Sequence, residues 1–385
     1  MTVEVRPFGD KCNIKCRYCY QEGIRAAGNI PTGYDIEAVM GRLDDLAQPF
    51  TLFGGEIMMT PRRDIERLLA LGLDRHGGTG LQTNGTLMEP SDIDMFRRYN
   101  VRVGVSIDGP GPLNDARWAG TLAATRRATA RTEALIETLC REGIPPNIIV
   151  TLSRVNAGDR LDELCDWLRF LDGLGVRRVR LHTLEKDDTA GGAGLALSDA
   201  ENIEALRRMR SIEHEFRTTK FDLFGEMRAM LLGDDREVSC IFHACDPYAT
   251  QAVVGVEGDG SLGNCGRTNK DGVGYLKARH AGYERQVSLY RTPWAEGGCA
   301  GCRYFLMCKG NCPGTAIEGD WRKRSSDCAV WFAMFEDIET ELAAGGEVPL
   351  SAAPDRLAIE EALIDAWTLG ANPSIHSLRE TGAAS

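Results

Sequence analysis

Apolar positions in the first two hundred residues fall into two rhythms. Short runs at 3–8, 50–53, 80–82, 101–107, 147–152 and 176–183 have the length and composition of buried strands. Between them, 36–46, 64–73, 132–142 and 161–174 repeat apolar residues at helical spacing. This alternation predicts an α/β fold of parallel strands joined by right-handed crossovers, and six such units make an open barrel. Parallel α/β architectures collect their chemistry at the C-terminal ends of the strands. The residues just after each run are therefore the candidates.

Beyond 186 the pattern changes. Residues 187–200 are small and polar and read as a mobile loop. Ser198 with Glu201 forms a capping box for a helix to about Phe216, and 221–232 continues as a bridge. Two short strands, 252–256 and 261–263, flank Glu257-Gly258-Asp259-Gly260 and read as a hairpin. Trp331, Phe332, Phe335, Ile338 and Leu342 recur at helical spacing and are expected to pack against the barrel. A last helix runs from about Pro354 to Leu369, stopped by Gly370, with Leu357, Leu363 and Trp367 facing the protein or a partner. The tail 380–385 reads as disordered. The expected divisions are 1–190, 191–235, 236–342 and 343–385.

Composition narrows the class. With 43% hydrophobic and 26% charged residues, the chain is ordinary for a globular enzyme. A net charge of −11 argues against a nucleic-acid partner, which needs a basic stripe. No run of 18 apolar residues offers a membrane span, and the N-terminus lacks a signal-peptide profile. A cytoplasmic location is the expectation. Thirteen cysteines then point to metal or redox chemistry rather than disulfides. Cys140 and Cys165 sit on apolar helical faces as small buried hydrophobes. The other eleven fall at 12–19 and 240–328.

After the first candidate strand comes Cys12-Asn-Ile-Lys-Cys16-Arg-Tyr18-Cys19. A cubane [4Fe-4S] cluster takes four thiolates, so three close cysteines leave one iron open; C-x2-C pairs also hold zinc. After the second strand comes Gly54-Gly55-Glu56, after the third Gln82-Thr83-Asn84-Gly85-Thr86, and after the fourth Ser106-Ile107-Asp108-Gly109. Together these resemble the radical S-adenosylmethionine (SAM) enzymes and their partial (β/α)6, TIM-like barrel. The resemblance implies a cluster on Cys12, Cys16 and Cys19 whose open iron chelates SAM. It also implies SAM contacts from Tyr18, Gly54, Gly55, Glu56, Asn84 and Ser106, and from an arginine about twenty residues after the serine. Arg126 and Arg127 are both in range, and Arg127 is the choice.

The second group reads C-x14-G-x4-C from Cys245 to Cys265, then C-x2-C-x5-C-x3-C-x15-C from Cys299 to Cys328, with Cys240 as an eighth thiol. This resembles the SPASM domain, a small cysteine-rich module carrying two auxiliary [4Fe-4S] clusters. Residue by residue it implies one cluster on Cys240, Cys245, Cys265 and Cys312 and another on Cys299, Cys302, Cys308 and Cys328. Two structural zinc sites are the alternative.

The resemblance implies a metal-binding oxidoreductase with three [4Fe-4S] clusters. It would cleave SAM reductively to a 5′-deoxyadenosyl radical that abstracts hydrogen from an unactivated C–H bond. Members with two auxiliary clusters mostly modify peptides. The first choice is a maturase of a ribosomally made precursor peptide (RiPP biosynthesis) that installs a C–C, C–O or thioether crosslink. Anaerobic sulfatase-maturating oxidation of Ser or Cys, epimerisation and small-molecule dehydrogenation are the alternatives. The sulfatase-maturating branch carries Asp after the second cysteine of its G-x4-C element, where this chain has Gly266. Eleven residues before Cys12 leave no room for a leader-binding domain there, so leader recognition is expected from the SPASM face, the C-terminal extension or a separate leader-binding protein. A flavodoxin or ferredoxin is the expected electron donor. No residue is assigned as a catalytic base.

Overall fold

A computed structural model describes residues 2–186, 194–250, 252–269 and 271–380. The loop expected at 187–200 lies outside the described residues up to 193, as does the tail from 381. The chain forms two compact units: Met1–Asp222 with Val254–Leu276, and Leu223–Val253 with Lys277–Ser385.

The first unit is built on β1 (Thr2–Arg6), β2 (Phe50–Leu52), β3 (Gly80–Thr83), β4 (Arg102–Ser106), β5 (Asn147–Leu152), β6 (Arg178–Thr183), β7 (Lys220–Phe221), β8 (Val253–Glu257) and β9 (Leu262–Gly263). Among the described residues these form one sheet in the order β7-β6-β5-β4-β3-β2-β1-β8-β9. Neighbours from β1 to β7 pair in parallel. Successive parallel neighbours need crossovers, supplied by α1 (Ile36–Leu46), α2 (Arg62–His76), α3 (Pro90–Arg98), α4 (Leu122–Arg141), α5 (Leu161–Gly173) and α6 (Asp199–Glu213). The capping box at Ser198 and Glu201 opens α6. Val5, Leu52, Val105, Val150 and Val179 are buried along the strands, as apolar runs demand.

Two elements differ from their expected form. Helix α4 starts ten residues before the apolar pattern does, because its early buried face is Thr125, Thr129 and Thr132. The hairpin was expected within 236–342 as part of the cysteine-rich module. Instead β8 and β9 extend the first unit's own sheet beyond β1, and buried Arg6 of β1 donates to Glu257 and to the Asn264 carbonyl. That places Cys265 in the first unit and divides the chain differently from the expected boundaries.

The second unit contains α7 (Glu284–Arg291), α8 (Cys328–Ala344) and α9 (Arg356–Thr368). Trp331, Phe335, Ile338 and Leu342 of α8 are buried, and Phe335 stacks on Tyr304 and meets Phe242 edge-on, all within this unit. Helix α9 buries Leu363 and Trp367, with Trp367 stacked on Tyr283, whereas Leu357 is exposed. No helix among the described residues is long and apolar enough to cross a membrane.

Candidate functional site

The cysteine loop leaves β1 and is tied down by backbone pairing. Lys15 N–H donates to the Trp118 carbonyl at 2.7 Å and Arg17 N–H to that of Ala116 at 2.8 Å. The Arg17 guanidinium also lies 4.3 Å over the Trp118 ring. Cys12, Cys16 and Cys19 line a single pocket together with Tyr18, Gly54, Gly55, Asn84 and Ser106. Ends of the first four strands thus converge on one opening, as the parallel topology dictates.

The glycine pair serves this loop directly. Gly55 N–H bonds to the Gly9 carbonyl at 3.0 Å and Glu56 N–H to that of Lys11 at 2.9 Å. A Cβ at position 55 would stand 2.4 Å from the carbonyl oxygens of both Asp10 and Lys11. The glycines therefore let the protein's own cysteine loop approach β2 as well as leaving room for a ligand. Gly55→Ala is expected to cost about 1–3 kcal/mol through overpacking and to lower the iron bound at this loop. Gly41→Ala on α1, where nothing stands within 4 Å, is expected to raise the melting temperature instead. Thermal melts with iron counts on both variants check the contrast.

Glu56 sits beneath the pocket rather than on its wall. Its buried carboxylate accepts from Thr83 Oγ1 at 2.6 Å, Asn84 N–H at 2.7 Å and Met58 N–H at 3.0 Å. It thereby shapes the turn after β3. Asn84, so held, directs its Nδ2 to Asn13 Oδ1 at 2.9 Å and to Cys12 Sγ at 3.9 Å. Ser106 Oγ accepts from Gln82 Nε2 at 2.8 Å.

Arg127 is not brought to the pocket. It is exposed on α4, on the face opposite the buried Thr125 and Thr129, and Arg126 pairs with Asp115. The guanidinium groups on the pocket wall are those of Arg25, Arg267 and Arg117, and spacing singled out none of them. Arg117 Nη2 donates to Asp108 at 3.1 Å, while its Nε is buried with no hydrogen-bond partner among the described residues. Asp108 is fully buried and also accepts from the Tyr18 hydroxyl and from Thr151 N–H at 3.0 Å. The Tyr18 ring packs on Ala116 and Leu184. One carboxylate thus joins the cysteine loop, the end of β4 and the end of β5.

The ends of β5 and β6 complete the wall with Thr151, His182, Leu184 and Glu185. Burial, with Arg267, Arg180 and Arg117 nearby, pushes the His182 imidazole well below its ordinary value, so it is neutral at pH 7. Glu185, buried, accepts from Arg267 Nε at 2.8 Å. A Cβ at Gly266 would lie 3.3 Å from the Tyr20 ring, so the position after Cys265 offers no side chain to the pocket.

In the second unit, Cys299 has Cys328 and Cys302 as electrostatic neighbours, and Cys308 has all three. These four are the thiols expected to share one cluster. Burial pushes Cys299 up to about 12, and Cys308 well above its ordinary value. Cys245 and Cys312 also belong to this unit, as does Cys240, whereas Cys265 belongs to the first.

The donors fit iron–sulfur clusters on two counts. Clustered buried thiols cannot ionise together without a bound cation. The side-chain amide of Asn264, fully buried next to Cys265, has no partner at either atom among the described residues and can serve a cluster sulfur. Among the described residues no three His, Cys, Asp or Glu side chains close on a single-ion position.

Residues 7–170 match the model of the Radical SAM superfamily. The chain is 32% identical over 126 residues to a serine-type anaerobic sulfatase-maturating enzyme of Bacteroides thetaiotaomicron, covering 29% of this chain and 30% of that one. It thus spans about a third of the length of the sulfatase-maturating relatives it matches. It is 24% identical over 341 residues to an AdoMet-dependent heme synthase of Methanosarcina barkeri, covering 82% and 93% of the two chains. The solved structure of anSMEcpe with bound AdoMet and Cp18Cys peptide superposes with a TM-score of 0.64 at 18% identity, covering 89% of this chain and 98% of that one. The likeness is one of fold: a mixed α/β chain built on a parallel sheet.

Proposed function

With residues 7–170 forming a radical SAM domain, we propose that this chain is a peptide-modifying oxidoreductase that crosslinks residues of a ribosomally made precursor. Cys12, Cys16 and Cys19 hold its SAM cluster. Tyr18, Gly54, Gly55, Asn84, Ser106 and Arg117 line the SAM site, and Glu56 positions Asn84 from below. Reductive cleavage of SAM supplies the hydrogen-abstracting radical there. His182, held neutral, is a pocket group able to accept a proton from the substrate, and Thr151 and Glu185 face the same space. The other eight cysteines hold two auxiliary clusters, in the sets that the resemblance to the SPASM domain implies. A flavodoxin or ferredoxin supplies the electron.

The observation that carries the choice of crosslinking is Gly266. A branch that oxidises Ser or Cys in sulfatases has a carboxylate at this place, and here the residue is glycine, where a Cβ would meet the Tyr20 ring at 3.3 Å. Sulfatase-type oxidation is the second reading, favoured by the names of the relatives that share 126 residues with the chain. The long match to a heme synthase keeps a small-molecule substrate as the third.

The test is the mass of a short peptide encoded beside this gene, co-expressed with wild type or Cys16→Ala. A loss of about two mass units with wild type only, localised to two linked residues, is the expected result. A gain of about one unit in D2O without a crosslink would indicate epimerisation instead. An unchanged peptide with SAM still cleaved would overturn the peptide reading.

A further inference from the structure

Helix α7 buries a cation. Arg285 heads the largest fully buried side chains of the described residues, with 1% of its surface exposed. Its Nε donates to the Trp321 carbonyl at 2.6 Å, Nη1 to that of Cys245 at 3.0 Å and Nη2 to that of Lys323 at 3.1 Å. These acceptors are neutral, so they satisfy the donors without balancing the charge. Arginine stays protonated in proteins, and an unbalanced buried charge is expensive.

The ionisable groups that act on it are Cys245, Cys312, Asp246 and Cys299, the thiols carrying charge once a cluster binds them. Asp246, held by the backbone N–H groups of Tyr248 and Ala249, each at 2.8 Å, is one carboxylate that acts on it. The three thiols come from both cysteine sets, Cys245 and Cys312 from one and Cys299 from the other. The same helix touches each group again: Gln286 Nε2 donates to the Cys245 carbonyl at 2.9 Å, and the Leu289 carbonyl accepts from Cys299 N–H at 2.7 Å. Arg324, by contrast, acts on Cys299 and Cys302, both of one group.

We propose that Arg285 is a potential-setting cation shared by the two auxiliary clusters, raising the reduction potential of each cluster it faces. This rests on the cluster assignment above. Reduction adds one electron to a thiolate-ligated cluster, and a fixed positive charge in a dry interior favours the more negative state. Arg285 touches no substrate and moves no proton, so it is a positioning residue whose signature is electrochemical.

The experiment compares full-length Arg285→Gln and Arg285→Lys, each in the Cys12/Cys16/Cys19→Ala background so that only auxiliary clusters titrate. Iron per chain and midpoint potentials from EPR-monitored titrations are measured after anaerobic reconstitution. The glutamine variant keeps one amide nitrogen as a donor in place of three and loses the charge; the lysine variant, with one nitrogen too, controls for the lost bonds. It is expected to lower at least one midpoint by a tenfold change in the reduction equilibrium, about 59 mV for one electron, with iron retained. The lysine variant is expected to stay near the parent. Unchanged midpoints in the glutamine variant, or equal iron loss or equal shifts in both variants, would make Arg285 a packing strut and overturn the proposal. Iron absent from the parent background would instead overturn the auxiliary-cluster assignment itself.

Discussion

Replacing Cys12, Cys16 and Cys19 together with alanine is expected to end 5′-deoxyadenosine formation from SAM while leaving about two thirds of the iron in place, one cluster in three being lost. The loop should stay folded, because backbone bonds from Lys15 to Trp118 and from Arg17 to Ala116 hold it without the thiols. The Tyr18 anchor on Asp108 is also independent of them. The eight other ligand candidates start at Cys240, far along the chain. Anaerobic reconstitution, iron counting and chromatography of the SAM products read both effects. Continued 5′-deoxyadenosine production would take the SAM cluster away from this loop. Loss of all iron would instead take the auxiliary clusters away from the eight downstream cysteines.

The barrel was legible because apolar residues gather in short segments of strand length, as in NIIVTL of β5, separated by stretches at helical spacing. The cysteine loop and the turns after β2, β3 and β4 were legible for a related reason. Sequence order maps onto spatial order when each parallel strand neighbours the next, so motifs at successive strand ends meet in one pocket. What stayed hidden is nonlocal or polar. Arg117 reaches the pocket because two loops pair along their backbones, a contact with no periodicity, and residue counting favoured Arg127 instead. Glu56 reads as a ligand contact in sequence, yet three hydrogen bonds turn it toward the β3 turn. The hairpin itself was read at the right place, but nothing local says that it joins β1. Helix α7 escaped notice altogether, since its buried face is Arg285, Gln286 and Leu289 rather than an apolar stripe. The first half of α4 was missed for a similar reason, its threonines packing inward where leucines would have declared a helix.

Asp108→Ala is expected to destabilise the protein by about 3–5 kcal/mol, the cost of leaving a buried partner charge unpaired. Arg117 would be that charge: its side chain is 11% exposed, and Asp108 itself is fully buried. The same substitution strands the Tyr18 hydroxyl and the Thr151 N–H, which both bond to this carboxylate. Adding Arg117→Met removes the unpaired guanidinium and keeps much of its volume, so the double variant should regain most of the loss. It should fall short of wild type by about 1–3 kcal/mol for each stranded donor that finds no water. Denaturation of the apo protein measures these steps. Iron counts after reconstitution report the consequence for the site, because Tyr18 lies between Cys16 and Cys19 and Asp108 is its anchor. The double variant should therefore bind less iron than wild type even where its stability is restored. If the double variant is no more stable than the single, the charge pair is not what holds the loop, and the cost lies in the hydroxyl and amide alone. If it also binds iron as wild type does, Tyr18 needs no anchor, and the loop's backbone ties to Ala116 and Trp118 suffice to place the three thiols.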